Sequence, residues 1–482
     1  MSLPDDRDMA WPPPGAVPEA IHTWRAWYAG NPAQLASSAA PPAENKYARA
    51  FFFWRRQRRQ QSIVRQPPPV HVPLAAEIAQ TSADLLFGEM PEIDVADAAQ
   101  QRLDELTSGT GVANTLLEAA ELCAAISGIY LRVSWDTAVS DMPFLTTVAA
   151  DHAVPEFRYG RLQAVTFWHE LPAEGREVWR HLERHEPGVI LHGLYVGDKT
   201  NLGVKTALTA HAQTADLEET VALPEGIPGG MLTWYVPNMR PAHGDPGGAQ
   251  GRADISGAEA LLDALDEAYS SWLRDVRLGK ARVIVPADAL DAAATDRGSG
   301  RYFDVDREVF TELDGMSPGE MSITVYQPEI RAPEHEQTVL NLIERIVSKA
   351  GYAPQTFGLR VEGRAESGTA LRLREAKTYQ TLDRKRRYWN PALKAALEGM
   401  LAVDRTVFGR PTAVETPVII WPEPRETAQE LAQTLTMLRT AEAVSIETAA
   451  RMAQPDLDDD KLAEEVARIR EDAGRMVPEP GF

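Results

Sequence analysis

The chain has 482 residues, a net charge of −21 at pH 7, an isoelectric point near 5.0 and a single cysteine. Its length exceeds what one core supports, so several domains or one elongated, multi-part subunit is expected. One cysteine excludes an intrachain disulfide, and the acidic balance argues against a conventional DNA binder, whose affinity comes from Lys and Arg neutralising phosphates.

Met1 to Pro14 carries acids and prolines where a signal peptide has a basic and then an apolar segment, so none is expected. The longest apolar run, Val112 to Trp135, contains Glu118, Glu121 and Arg132, too many charges for a membrane span. A reducing cytoplasm, or a particle assembled there, is the expected location. Cys123 lies inside that run and is expected to be a small buried hydrophobe.

Residues 1–73 are broken by Pro12 to Pro14, Pro41-Pro42 and Pro67 to Pro69, and form an irregular N-terminal segment with one aromatic, helix-like stretch, Ile21 to Gly30. The cluster Arg55, Arg56, Arg58 and Arg59 is expected to be a solvated or partner-facing patch. From Leu74 to Phe87, apolar residues at 74, 78, 85 and 86 predict an amphipathic helix that Gly88 stops. Leu103 to Leu106 and Ala113 to Ile126 predict further helices. Alternating, β-branched runs then predict strands at Tyr130 to Trp135, Phe144 to Val148, Leu162 to Trp168, Val189 to Val196 and Met231 to Val236.

After a Pro/Gly-rich connector, Met239 to Arg252, the pair Ser256 and Glu259 has capping-box spacing and predicts a helix running to Gly279, roughly 35 Å long. Strand-like runs follow at Arg282 to Val285, Tyr302 to Phe310 and Ser322 to Tyr326. A second helix is predicted from Pro333, with Val339, Leu340, Ile343 and Val347 on its apolar face and Gly351 as its stop. Two helices of similar length flanking a small β module describe a stalk that leads to a tip and returns. A Gly-rich loop, 351–368, precedes a long helix from Thr369 to Phe408, in which Pro391 predicts a kink at Asn390-Pro391. Residues 426–475 are acidic and helical, with a turn at Gln454 to Asp460.

Motifs that carry chemistry are scarce. Gly197 to Thr206 fails as a phosphate loop, because its glycines are one residue too far apart and Val204 separates Gly203 from Lys205. His181 and His185, with His192 nearby, are the leading metal candidates, beside the aspartate run Asp458 to Asp460. On a strand, however, 181 and 185 stand roughly 13 Å apart, too far to share an ion. Asp458 to Asp460 is expected to be a solvated helix start. No catalytic residue, metal site or cofactor is expected, and the chain is expected not to be an enzyme.

Five stretches, in order, resemble the portal proteins of long-tailed bacteriophages. They are Trp24 to Gly30, Pro73 to Pro91, Val325 to Arg331 with Glu334-His335, Gly351 to Gly358, and Ser367 to Arg374. The resemblance implies an α+β portal fold. Its expected parts are a wing at 74–255 (helices, then β-rich), a first stem helix at 256–280, a small β-containing clip at 281–331 and a second stem helix at 332–350. A tunnel loop at 351–368, the kinked wing helix and its return at 369–425, and a helical crown at 426–482 complete it. It implies a head-to-tail ring of about twelve copies at the capsid vertex. Double-stranded DNA would pass through without sequence specificity, and the terminase large subunit, a head–tail adaptor and the major capsid and scaffold proteins would be partners.

The implied channel residues are Gln355, Arg360, Glu362, Arg364 and Glu366, with Arg360 and Arg364 either touching phosphates or bridging neighbouring subunits. The basic run Arg384, Lys385, Arg386 and Arg387 is expected to be an intersubunit ion-pair surface. An acidic bore that does not trap DNA would account for the net charge. Two alternatives stand beside this expectation: another ring-forming connector or minor capsid protein, and a metal-dependent hydrolase built on His181, His185 and His192.

Overall fold

A computed structural model describes residues 3–5, 7–31, 35, 70–173, 175–240, 249–279, 282–284, 292–295, 298–301, 324–326, 330–359, 368–422, 428–454 and 457–475. The chain divides into two compact units, the larger holding residues 1–89, 93–361 and 375–419 and the smaller residues 90–92, 362–374 and 420–482.

In the larger unit, helix α1 (Ala16–Ala29) carries Ile21, Trp24 and Trp27 on one face and stops at Gly30, whose left-handed backbone suits glycine. Helix α2 (Leu74–Phe87) buries Leu74, Ala75, Ile78, Ala79, Ala83 and Leu86, the stripe its spacing predicts. A short strand, β1 (Glu92–Asp94), and helix α3 (Asp97–Gly109) follow, then α4 (Val112–Ile126), whose small buried residues let α1 and α2 approach it. Cys123 is buried in α4, and burial pushes its thiol up to about 12, so it is an inert hydrophobe.

Strands β2 (Gly128–Ser134), β3 (Phe144–Ala149), β4 (Ala153–Arg158), β5 (Arg161–Leu171), β6 (Val178–Glu186), β7 (Val189–Gly197), β8 (Val204–Thr206), β9 (Thr220–Ala222) and β10 (Thr233–Pro237) make two antiparallel sheets. One has the order β10-β2-β3; the other runs β4-β5-β6-β7-β8, with β9 also paired to β7. All five strands the alternation predicted are present, the strand-like stretch around His181 and His185 forms β6, and β4, β8 and β9 are additional.

The two sheets face each other through the odd-numbered positions of β5 and β6. Tyr130 meets Phe167 edge to face at 5.3 Å, and Arg132 Nη1 donates to Glu183 Oε1 at 2.8 Å. His185 Nε2 donates to Glu183 Oε1 at 2.6 Å, while Thr233 Oγ1 and His185 Nδ1 are 2.9 Å apart, which a proton on Nε2 satisfies at both ends. The opposite face of the larger sheet is covered by the N-terminal segment. Leu3 and Trp11 pack with Leu182, Tyr195 and Leu202, and Leu202 N donates to Met9 O at 2.9 Å. This part of the N-terminal segment is thus tied to the sheet; residues 36–69, including the arginine cluster, lie outside the described residues.

Helices α5 (Glu259–Leu278) and α6 (Ala332–Ala350) flank four short strands, β11 (Arg282–Ile284), β12 (Ala292–Thr295), β13 (Gly298–Arg301) and β14 (Thr324–Tyr326). β11 pairs antiparallel with β14, and β12 with β13. The sequence placed no strand at β12 or β13, and its strand at Tyr302 to Phe310 lies outside the described residues. The predicted capping box does not form. Ser256 sits in the turn before the helix, the cap position is Ala258 with no side-chain bond, and Glu259 instead accepts from Trp24 Nε1 at 2.9 Å. Successive tight turns at Ser256 and Ala258 occupy the residues a capping serine needs extended.

The long helix α7 (Gly368–Thr406) runs through Pro391 without interruption. From Leu382 to Val403 it buries Trp389, Leu393, Leu397, Met400 and Leu401, with Phe87 edge-on to Trp389 at 4.9 Å. A strand, β15 (Val418–Ile420), follows. The smaller unit contains α8 (Ala428–Thr440), α9 (Ile446–Ala453) and α10 (Asp459–Arg475). Ala450, Leu462 and Val466 form its core, Ser445 caps α9 by accepting from Thr448 N, and Asp458 accepts from Lys461 N at the start of α10. The aspartate run is therefore a helix start, as its composition suggested; the interruption between α8 and α9 was not anticipated.

Candidate functional site

Helices α5 and α6 are antiparallel, because each end of one lies beside the opposite end of the other. Near the start of α5, a Cβ at Gly257 would stand 3.2 Å from Lys349 Cε, by the end of α6. At the other end, Gly279 backs onto Ile330 so closely that a Cβ would fall 2.6 Å from its Cγ1. Glycine at 279 is thus required by close approach, not by an unusual φ.

The far end of the pair is held by Asp275. It accepts from Arg331 Nη2 at 2.8 Å and His335 Nε2 at 2.9 Å, and the ring of His335 stacks on Trp272 at 6.3 Å and 5°. The His335 and Arg331 hydrogen bonds hold the Asp275 carboxyl below the usual carboxylate range. Midway, Asp266 accepts from His71 Nδ1 and Val72 N, and Ser270 accepts from Val70 N, so residues 70–72 run along α5.

The near end is held by a buried polar node. Lys385 of α7, 3% exposed, donates to Asp254 Oδ2 at 2.6 Å and to Ser82 Oγ of α2 at 2.5 Å. Asp254 precedes α5, and it also accepts from Tyr352 Oη at 2.7 Å and Asn238 Nδ2 at 2.9 Å. Tyr352 follows α6; burial, then the Asp254 charge, raises its phenol well above the ordinary value. Two further α7 hydroxyls complete the anchorage. Thr378 Oγ1 accepts from Ala353 N at 2.8 Å, and Thr381 Oγ1 donates to Gly351 O at 2.6 Å. Gly351 ends α6 at φ 104°, a backbone for glycine, with its N–H returning to Val347 O and Ser348 O. Both inner ends of the helix pair are therefore fastened to one face of α7, through positions 378, 381 and 385.

This placement corrects one expected site residue. Lys385 is inside its own chain and bonded there, so it cannot belong to an exposed ion-pair surface. Arg384 and Arg387 are exposed, and Arg386 lies 3.7 Å from Asp383. Gln355 is half-buried in a single helical turn, Pro354–Phe357, directly after α6. Arg360, Glu362, Arg364 and Glu366 lie outside the described residues. Asn390, half-buried, and Pro391, exposed, sit within α7 between the buried Trp389 and Ala392.

The histidines do not assemble around an ion. His181 Nε2 and His192 Nδ1 are 3.2 Å apart with stacked rings, whereas His185 is bonded to Glu183 and Thr233. Burial, then the neighbouring His192 and His169, pushes His181 down to about 4. Among the described residues, no group of three or more His, Cys, Asp and Glu side chains is disposed to hold a metal ion. No helix among them is long and apolar enough to cross a membrane.

The family described as phage portal protein, SPP1 Gp6-like, matches residues 236–479, just over half of the chain. That span contains α5, α6, the strands between them, α7 and the helices of the smaller unit. Among solved structures, the chain is similar to a chain from the neck of an empty gene transfer agent particle with C6 symmetry, at 13% identity and a TM-score of 0.44. The overlap covers 79% of this chain and 90% of that one. A chain from the virion of the native gene transfer agent particle is 14% identical with a TM-score of 0.42, covering 92% and 93%. One from the native neck with C12 symmetry is 13% identical with a TM-score of 0.41, covering 80% and 90%. No curated protein matches the chain.

Proposed function

This chain belongs to the SPP1 Gp6-like phage portal protein family, and from that premise we propose that it is the subunit of a portal ring at the capsid vertex of a tailed phage-like particle. The observation that carries the proposal is that the family match falls on the antiparallel helix pair and the long helix to which both its ends are fastened.

In this proposal α5 and α6 are the stem, the strands between them the clip, α7 the long wing helix, bent at Asn390-Pro391, and α8 to α10 the crown. About twelve copies close head to tail, each reusing the same two surfaces. At about 30 Å, α5 is close to one turn of B-DNA, so a ring of such helices surrounds the duplex over about one helical repeat. The loop from 351 to 368 projects toward the axis with Gln355 at its root. Arg360 and Arg364 supply the transient phosphate contacts or the links between neighbours. Arg384 and Arg387 face an adjacent subunit.

The net charge of −21 supports a passive conduit. A duplex moving past mostly acidic walls has few phosphates neutralised, so it does not adhere between steps. The work of packaging then belongs to a separate motor, the terminase large subunit, docking at the clip; the head–tail adaptor uses the same end after packaging, and capsid and scaffold proteins hold the wing. Host cytoplasm is where such a ring is assembled.

Native mass spectrometry with negative-stain imaging of the purified protein tests the proposal. Rings of about twelve subunits with a central hole are expected. A monomer or dimer that stays so at high concentration and with scaffold protein added would overturn it.

A further inference from the structure

The tip of the β4–β5 hairpin breaks two local rules within four residues. Its turn, Tyr159-Gly160, has φ of 52° and 72°, the two left-handed positions of a type I′ turn that Asn-Gly normally fills. A tyrosine at the first of these is strained, and its ring gains no burial in return, being 92% exposed. The residues on either side, Arg158 and Arg161, are direct cross-strand partners, and like charges placed opposite each other repel. A third arginine, Arg240, arrives from the end of another strand and donates from Nη2 to Gly160 O at 3.3 Å. The Arg158 guanidinium stands 5.5 Å from the centre of the Tyr159 ring.

None of these three arginines pairs with a carboxylate among the described residues. The nearest acid along the strand, Glu156, is taken by Arg184 at 2.6 Å. On a chain with 70 acidic and 49 basic residues, carboxylates are the commonest charged group, yet among the described residues none pairs with an arginine of the tip. Strain, repulsion and cations without a carboxylate partner among the described residues are a local cost at one exposed point, returned only by one ring contact and one hydrogen bond, which is the pattern of a contact kept for a partner.

We propose that Arg158, Tyr159, Arg161 and Arg240 form a docking point for the phosphodiester backbone of duplex DNA, lying outside the helix pair and the loop assigned above to the channel. Two guanidinium groups from neighbouring strands suit adjacent phosphates, which guanidinium forks grip through paired N–H bonds, and the third steadies the turn. The tyrosine ring supplies a flat face for the sugar edge between them. A carboxylate-bearing protein surface would satisfy the charge but makes no use of the exposed ring, so the duplex is the better fit. The proposal rests on the hairpin geometry and not on ring formation.

The test is fluorescence anisotropy of a labelled duplex of random sequence titrated with the full-length protein. Wild type is compared with Arg158→Ala/Arg161→Ala and with Tyr159→Asn, from ~0.05 M to ~0.2 M salt. Losing two phosphate contacts lowers the slope of log K against log salt by about 1.8 and weakens binding on the order of a hundredfold at ~0.05 M salt. Both variants are expected to melt at the wild-type temperature or above, because strain and repulsion are relieved, and to give the wild-type native mass. That separates loss of docking from loss of fold or of assembly. The proposal is overturned if the wild type does not bind the duplex at ~0.05 M salt, or if the double variant binds with unchanged affinity and slope. It is equally overturned if polyglutamate, and not DNA, is the polyanion whose binding the double variant loses.

Discussion

Replacing Lys385 by methionine isolates the energetics of the node that fastens the helix pair. Lys385 and Asp254 are both almost wholly removed from water and stand 2.6 Å apart. At an effective dielectric near 20, that separation is worth about 6 kcal/mol of attraction. Taking two ions out of water costs several kcal/mol each, so the intact pair contributes little net stability. The single variant is a different matter. Lys385→Met keeps most of the side-chain volume but leaves the Asp254 carboxylate buried with only Asn238 and Tyr352 as donors, and removes the lysine bond to Ser82. A loss of about 3–5 kcal/mol is expected from one orphaned buried charge.

Urea unfolding followed by tryptophan fluorescence measures that loss, since Trp389 lies one turn further along the same helix. Adding Asp254→Asn removes the orphaned charge, so the double variant should be less destabilised than the two single variants summed, by about 2–3 kcal/mol. A loss under about 1 kcal/mol for Lys385→Met, or strictly additive single variants, would refute the argument that this pair acts as a buried unit.

Two further outcomes concern the same unit. Asp404, 0% exposed, accepts both Arg102 Nε at 3.0 Å and Nη2 at 2.8 Å and also the Thr412 hydroxyl, and its hydrogen bonds raise the Arg102 guanidinium above its usual value. Asp404→Asn puts a donor where three donors converge and should cost about 3 kcal/mol in a thermal melt, with a smaller loss for Arg102→Lys. His181 is held neutral in the fold, with His192, His169, Arg132 and Glu183 around it. Protonation therefore favours the unfolded chain: stability is complete above the unfolded histidine value of ~6.5 and falls by about 3 kcal/mol as the pH drops toward 4. His181→Gln should flatten that part of a stability–pH profile, and an unchanged profile would show that the ring is solvated.

Periodicity was legible where a face is uniformly apolar. α2, α4, α5 and α6, and five strands of the two sheets, fall where their spacing puts them, because burial of one face decides those elements locally. The additional strands β4, β8 and β9 carry mixed patterns and are set by their neighbours. β8 and β9 have only three residues each and pair with β7, whose own sequence gives no sign of how many partners it takes. The capping box failed for a related reason. Its two residues have the right spacing, but the preceding chain turns tightly to carry Asp254 inward, and the tertiary anchor outranks a cap worth about 1 kcal/mol.

The misplacement of Lys385 has a more general cause. Reading Arg384 to Arg387 as a run treats four consecutive cations as one surface. On a helix, successive residues are turned by about 100°, so such a run points in four directions. The buried positions of α7 include a stripe through 378, 382, 385, 389, 392, 396, 400 and 403, in steps of three or four. Lys385 occupies a core place in that stripe, between Leu382 and Trp389. A lysine there must find an anion inside the chain, and the sequence offered that deduction without naming the anion. Asp254 is 131 residues away in a turn with no periodic signal, and Tyr352 is in a loop. Only the fold brings them together, which is why the anchorage of the helix pair, unlike the pair itself, was hidden until the structure placed both ends against α7.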